Sequence, residues 1–235
     1  MWAKGRFSHM AEFAAKAKEL GFIHLEANAS IFPRMISELL ESTVPISSIH
    51  SPCPAVLSTR GISASSLSLS PLDESERIEV VSFTKQTIDL ASNVSAKAIV
   101  LHMGEVPIDL SLQDRLYTFC TKSNTQTKEY IQAKEEFVYQ LISQVHPYLE
   151  VQQQIGFSSH GEWLLWFKHR MSGTHLHDVL GLSDHQAPGK GDVNWEMLTT
   201  YLPPGIVKVC EIGEWNDEDQ IQGVVNFLQK EGIAG

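Results

Sequence analysis

The sequence predicts an α/β fold in which short parallel strands alternate with helices. Three observations carry this. Short apolar runs (FIHLEA, PISSIH, KAIVLH and IVKVC) recur along the chain. Longer stretches with apolar residues at helical spacing separate them. PISSIH and KAIVLH end in His, and a Glu follows IVKVC directly. This rhythm of strand, loop and helix is the βα repeat of an α/β barrel or of a doubly wound sheet.

The first helix spans 8–20, because Met10, Phe13, Ala14, Ala17 and Leu20 share a face, with Ser8 placed to cap it and Gly21 to stop it. Residues 22–27 form a short strand. A helix over 33–41 follows, with Pro33 suited to its first turn and Met35, Ile36, Leu39 and Leu40 inward. The next strand covers 45–50 and is closed by the Ser51-Pro52-Cys53-Pro54 loop. Residues 59–71 are rich in serine and read as an exposed loop. Asp73 with Glu76 then suggests a capping box for a long helix to residue 93, carrying Ile78, Val81, Ile88 and Ala91 on its buried side. KAIVLH, 97–102, is continuously apolar and reads as a strand buried on both faces. A loop over 104–125 precedes a helix to residue 149, with Phe137, Val138, Leu141, Ile142 and Val145 as its buried stripe.

Two stretches interrupt the rhythm. The chain opens almost directly into a helix, where a barrel would begin with a strand. Around 150–157 one helix leads into the next, over 159–170, with no strand between them. The Trp163, Leu164, Trp166 and Phe167 stripe of that second helix reads as core packing. Five strands are evident, at 22–27, 45–50, 97–102, 173–179 and 206–212.

Composition fits one globular domain over 1–235: 43% of residues are hydrophobic and 20% charged. The formal net charge of −10 argues against a nucleic-acid partner held by bulk electrostatics. Cys53, Cys120 and Cys210 are odd in number and widely spaced, which suggests neither a disulfide framework nor a thiolate metal site. A reducing cytoplasm is the simplest compartment. No apolar run approaches the length of a membrane helix.

The densest chemistry lies in THLHDVLGLSDHQAPGKGDVNW, 174–195. Alternation along a strand sends His175 and His177 to one face. Asp184-His185 follow in a loop, and then Pro188-Gly189-Lys190-Gly191, whose glycines permit a tight turn. A strand ending in imidazoles and carboxylates is how a parallel barrel builds a metal site at its C-terminal rim. Glu211 follows the apolar run IVKVC, where a carboxylate is costly to bury without a partner.

HLHDV, the following DHQAPGKG and the late Glu of VKVCEIGEW resemble the xylose isomerase-like TIM-barrel superfamily, which includes sugar isomerases and epimerases and endonuclease IV-type repair enzymes. GFIHLEAN, ISSIHSPCP and KAIVLHMGEV resemble its second, third and fourth strands, in order. The resemblance implies a TIM (β/α) barrel that lacks its first, fifth and sixth strands. It implies a divalent metal ion (Mn, Mg, Co or Zn) held by Glu211 and by His175 or His177, with His175 favoured. His50 and His102 match positions that bind further zinc ions in the repair enzymes and contact substrate in the sugar-processing ones. His185 resembles another zinc-binding His of the repair enzymes, although Ser183 stands where they carry Asp. Lys190 is placed to neutralise a substrate phosphate or carboxylate. Glu26 ends its strand and supports the rim.

The activity so implied is that of a sugar or sugar phosphate isomerase or epimerase. Its chemistry is proton transfer beside a carbonyl through a metal-bound enediolate, with Glu211 as catalytic carboxylate. One alternative is an endonuclease IV-type hydrolase acting at abasic sites in DNA. The other is an inactive, truncated barrel that binds a ligand or partner at its open sheet edges. Activity is left open, because the carboxylate-bearing fifth and sixth strands have no counterpart. The expected partner is a small sugar. No membrane partner is expected, and a homo-oligomer is compatible with the sequence.

Overall fold

The computed structural model describes residues 2–69, 71, 73–102, 110–141 and 159–234, without the side chains of 110 and 138–141. Helix α1 (Met10–Glu19) begins just after the expected Ser8, and the Glu12 carboxylate accepts the Ser8 and His9 N–H groups at its start. Met10, Ala14 and Ala17 are its buried residues. Strand β1 is only Leu25–Ala27, shorter than the apolar run. Helix α2 (Pro33–Leu40) and strand β2 (Ile46–His50) lie where the sequence puts them. Residues 59–69 hold one 3-10 turn, Ala64–Ser66.

Helix α3 (Glu74–Asn93) starts on Asp73, whose side chain accepts the Glu76 N–H at 2.8 Å. Its buried face differs from the expected one. Val80, Phe83, Thr87 and Ala91 point inward, while Ile78, Val81 and Ile88 are exposed. Both sets follow helical spacing, and a non-local contact decides between them. The buried Thr87 hydroxyl accepts the Cys53 N–H at 3.0 Å, which pins the loop after β2 to this face.

Strand β3 (Ala98–Val100) is half-buried, not buried on both faces, and among the described residues it is an outer strand of its sheet. Helix α4 (Leu110–Thr121) occupies much of the stretch read as a loop. Leu112 and Leu116, four residues apart, are fully buried against Tyr130, Ala133 and Phe137 of α5 (Lys128–Leu141). What the sequence suggests for 103–109 and 142–158, including the missing fifth and sixth strands and the end of the helix, falls outside the described residues, whereas the described residues before α1 hold no strand, as expected for the first.

Helix α6 (His160–Phe167) is capped by Ser159, which accepts the Glu162 N–H. Its aromatic stripe is not wholly core: Leu164 is buried, but Leu165, Trp166 and Phe167 are about half exposed. Strand β4 is Gly173–Leu176, where a longer strand to 179 is expected. The chain instead breaks at His177 into an antiparallel hairpin of β5 (Asp178–Leu180) and β6 (Ser183–Gln186). Helix α7 (Trp195–Tyr201), strand β7 (Val207–Cys210) and helices α8 (Glu218–Gln222) and α9 (Val224–Lys230) complete the chain.

The parallel strands form two groups. β1, β2 and β3 pair in that order, with Glu26 opposite Ser48 and His50 opposite Val100. β4 pairs with β7, His175 opposite Val209 and Leu176 opposite Cys210. One apolar core lies between the first group and α1–α3, and a second between β4–β7 and α6–α9. Phe13 and Phe22 pack against both, which ties the two halves together. Among the described residues no helix is long and apolar enough to cross a membrane.

The loop after β6 closes tightly over β5. A β-carbon at Gly191 would overlap Val179 O and lie 2.6 Å from Asp178 Oδ1, so the close approach admits only glycine. Gly191→Ala is expected to cost about 1–3 kcal/mol, as overpacking a rigid site does. Urea denaturation of both proteins measures this, and an unchanged midpoint would contradict the close packing.

Candidate metal centre

Five side chains reach one mouth from the C-terminal ends of the parallel strands. β2 ends on His50, and His102 lies two residues beyond β3. Their Nε2 atoms are 2.8 Å apart. His50 Nδ1 lies 3.2 Å from Ser51 O, so this nitrogen donates and Nε2 offers its lone pair to His102. Burial, with His102 next to it, pushes the His50 pKa down. His50 and His175 also stack, with ring centroids 6.0 Å apart.

His175 lies between two carboxylates. Its Nδ1 is 2.8 Å from Glu211 Oε2, and its Nε2 is 3.2 Å from Glu26 Oε1. Glu26 in turn accepts the Ser48 hydroxyl at 2.6 Å, from the residue opposite it in the sheet. Burial lowers the His175 pKa, but Glu211 and Glu26 outweigh it and hold it up at about 10. At neutral pH this ring is an imidazolium bridging the two halves of the fold.

Glu211 follows β7 directly, and its N–H donates to Leu176 O at the end of β4. Burial raises its pKa, yet the hydrogen bonds from His175 and His185 prevail and hold it well below the usual carboxylate range. Neither Lys208 nor Lys190 takes part in the ion pairs seen at Glu211.

The hairpin delivers the remaining donors. His185 Nε2 is 3.6 Å from Glu211 Oε2, and its Nδ1 is 3.0 Å from Asp184 Oδ1. Its φ of 54° lies in the left-handed region, which costs a non-glycine residue roughly 1–2 kcal/mol. Burial lowers its pKa, while Asp184 and Glu211 raise it further, to about 9. The His177 ring lies 4.4 Å from that of His185. Burial, then His185, lowers the His177 pKa to about 4, so this ring is neutral at pH 7.

No family model and no curated protein matches the chain. Among solved structures it is similar to the TTHB071 protein from Thermus thermophilus, soaked with ZnCl2. That match has 16% identity and a TM-score of 0.54, over 98% of this chain and 94% of that one. It is also similar to an AP endonuclease, family 2, from Brucella melitensis, with 13% identity and a TM-score of 0.56, over 97% and 95% of the two chains. The chain has the xylose isomerase-like TIM-barrel fold. Among the described residues β1–β3 and the β4–β7 pair form parallel segments of that barrel without closing it.

In a barrel of this type the mouth lies at the strands' C-terminal ends, where Glu26, His50, His102, His175 and Glu211 meet. His177, His185 and Glu211 each offer one ligand atom, all within 4.8 Å of one another. Two imidazoles and a carboxylate suit a borderline divalent ion such as zinc, with a coordination position left open. Asp184 behind His185 is the carboxylate–imidazole pairing that orients a metal ligand. His175, the ligand favoured by the sequence, has both ring nitrogens engaged by carboxylates and would have to release one to coordinate an ion. Lys190 is exposed, and its backbone N–H bonds Asp178 Oδ2.

Three residues carry more than the sequence suggests. Glu26 reaches His175 across 149 positions, and only its place at a strand end hints at this. Asp184 is legible as the neighbour of His185. Asp178 is fully buried and organises the hairpin and the loop that follows it, through five donors.

Proposed function

We propose that this protein is a divalent-metal-dependent sugar or sugar phosphate isomerase or epimerase. The observation that carries the reading is the His177, His185 and Glu211 donor set beside the Glu211–His175–Glu26 chain. A bound divalent ion would polarise the sugar's carbonyl and neighbouring hydroxyl and so acidify the carbon between them. Glu211, kept ionised by the hydrogen bond from His175, accepts the proton from that carbon. His175, protonated and hydrogen-bonded to Glu211, returns a proton, and Glu26 holds the ring in line for it. The free cysteines Cys53, Cys120 and Cys210 support a reducing compartment such as the cytoplasm.

The test is proton exchange. Zinc- or manganese-loaded protein incubated in D2O with aldoses and ketoses should exchange the proton next to the carbonyl, read by NMR as loss of that signal. Chelator should abolish the exchange. Absence of exchange with every sugar would overturn the reading.

The His50–His102 contact favours a second reading, hydrolysis at abasic sites with further zinc ions held there. Against it stand Ser183 and the net charge of −10. More than one zinc per chain, together with incision of an abasic duplex, would select it over isomerisation. With no metal bound and neither activity present, the inactive, ligand-binding barrel remains.

A further inference from the structure

Trp215 stands in the loop after Glu211, is 57% exposed, and lies beside the donor set. Its ring centroid is 6.5 Å from that of His185, with the planes nearly perpendicular at 87°. A solitary surface tryptophan is ordinary, but this one packs against the backbone of its own loop, and that loop is held by hydrogen bonds from both sides. Its indole occupies the space that a β-carbon at Gly213 would fill. Gly213 N–H donates to His185 O at 2.8 Å. Asn216, fully buried, donates from Nδ2 to His185 O and to Gly213 O, each at 3.0 Å, and accepts the Ala187 N–H at 2.9 Å. The N-terminal segment clamps the outside of the loop. Arg6 donates to Glu214 O at 2.7 Å and to Asn216 O at 2.6 Å, and Trp2 Nε1 donates to Asn216 O at 3.1 Å.

The chain therefore places a large, half-exposed apolar ring on a hydrogen-bonded loop next to polar side chains able to hold a metal ion. Binding sites combine these two elements: an apolar wall with a few placed polar groups. An indole offers such a wall at low entropic cost, since it has only two side-chain torsions to fix and its loop is already ordered by hydrogen bonds. A ligand matching both has hydroxyl groups along its edge and C–H bonds across its face. A ring-form sugar or cyclic polyol has that form, and an open-chain polyol presents no such face.

We propose that Trp215 is the apolar platform of the site and takes the C–H face of a ring-form sugar or cyclic polyol, whose hydroxyl edge is turned to the His177–His185–Glu211 cluster. This rests on reading that cluster as a sugar-handling metal centre. The platform narrows what is bound to rings, and the proton transfer then needs a cyclic polyol with a ring carbonyl or a sugar whose ring opens in the site to free one.

Saturation-transfer NMR on zinc-loaded protein tests it, with methyl β-D-glucopyranoside as the locked ring and D-glucitol as its open-chain counterpart. Zinc content is measured alongside for wild type, Trp215→Ala and Trp215→Phe. The ring C–H protons should receive saturation from wild type, about fivefold less from Trp215→Ala, and nearly the wild-type level from Trp215→Phe. D-Glucitol should receive little from any of them. Equal transfer to the glucopyranoside in wild type and Trp215→Ala would overturn the proposal, as would no transfer in wild type. Trp215-dependent transfer in protein that takes up no zinc would support the platform and overturn the metal reading instead.

Discussion

Asp178→Ala is expected to lower stability by about 3–5 kcal/mol, because several N–H groups lose a shared buried acceptor at once. The side chain is fully buried. Oδ1 accepts from Val179 N and Val193 N, each at 3.0 Å. Oδ2 accepts from Gly189 N at 2.8 Å, Lys190 N at 3.1 Å and Trp195 Nε1 at 3.0 Å. Alanine leaves these donors inside the protein without an acceptor, and each unsatisfied donor costs roughly 1–3 kcal/mol unless water reaches it. Asparagine should not rescue the site. Either orientation of its amide turns an NH2 group toward at least two N–H donors. Because a whole domain is stable by only about 5–15 kcal/mol, either change removes a large part of the margin. Urea denaturation followed by tryptophan fluorescence reads the loss, and a loss below about 1 kcal/mol would contradict this role.

Where local chemistry decides a feature, the sequence already contains it. Pro33 at the start of α2 and Asp73 with Glu76 at the start of α3 act within one helical turn, and both helices begin there. The inward face of α3 depends on a distant partner. Ile78, Val81 and Ile88 are as apolar as Val80 and Phe83, and the Cys53 backbone bonded to Thr87 selects between the two faces. The break between β4 and β5 has the same origin. Asp178 reads as one more residue of a strand until the backbone of 189–193 folds onto it. Helix α4 was obscured differently, since Ser, Gln, Asp and Thr dilute the pattern around Leu112 and Leu116. In the candidate site, His50, His102, His175, His177, His185 and Glu211 could all be named from strand ends and motif. The pairing of His175 with Glu26 could not, because nothing in an alternating pattern indicates which strand ends face each other across an unclosed barrel.

Zinc binding should release one proton per ion at pH 7, with affinity rising about tenfold per pH unit up to about pH 9. The sign follows from the ligands. His177, at about 4, is already neutral at pH 7 and gives up nothing. Asp184 and Glu211 outweigh burial and keep His185 protonated until about 9, so the ion must displace that proton. Glu211 is ionised throughout, held well below the usual range by His175 and His185. Below about pH 4 His177 also competes, and the slope doubles. If His175 ligated the ion as well, its proton, retained to about 10, would be displaced too, and two protons would leave at pH 7. Calorimetry in buffers of different ionisation enthalpy counts the protons and so identifies the ligand set. Glu211→Gln removes the anionic ligand, and the affinity should fall at least about a hundredfold, the upper end of what losing a mere supporting partner costs. The same change weakens the hold on the His185 proton, so the pH slope should flatten near neutrality. Unchanged affinity in Glu211→Gln would show that the ion binds elsewhere, and Lys190→Ala, which alters only an exposed side chain, is the variant expected to bind zinc as the wild type does.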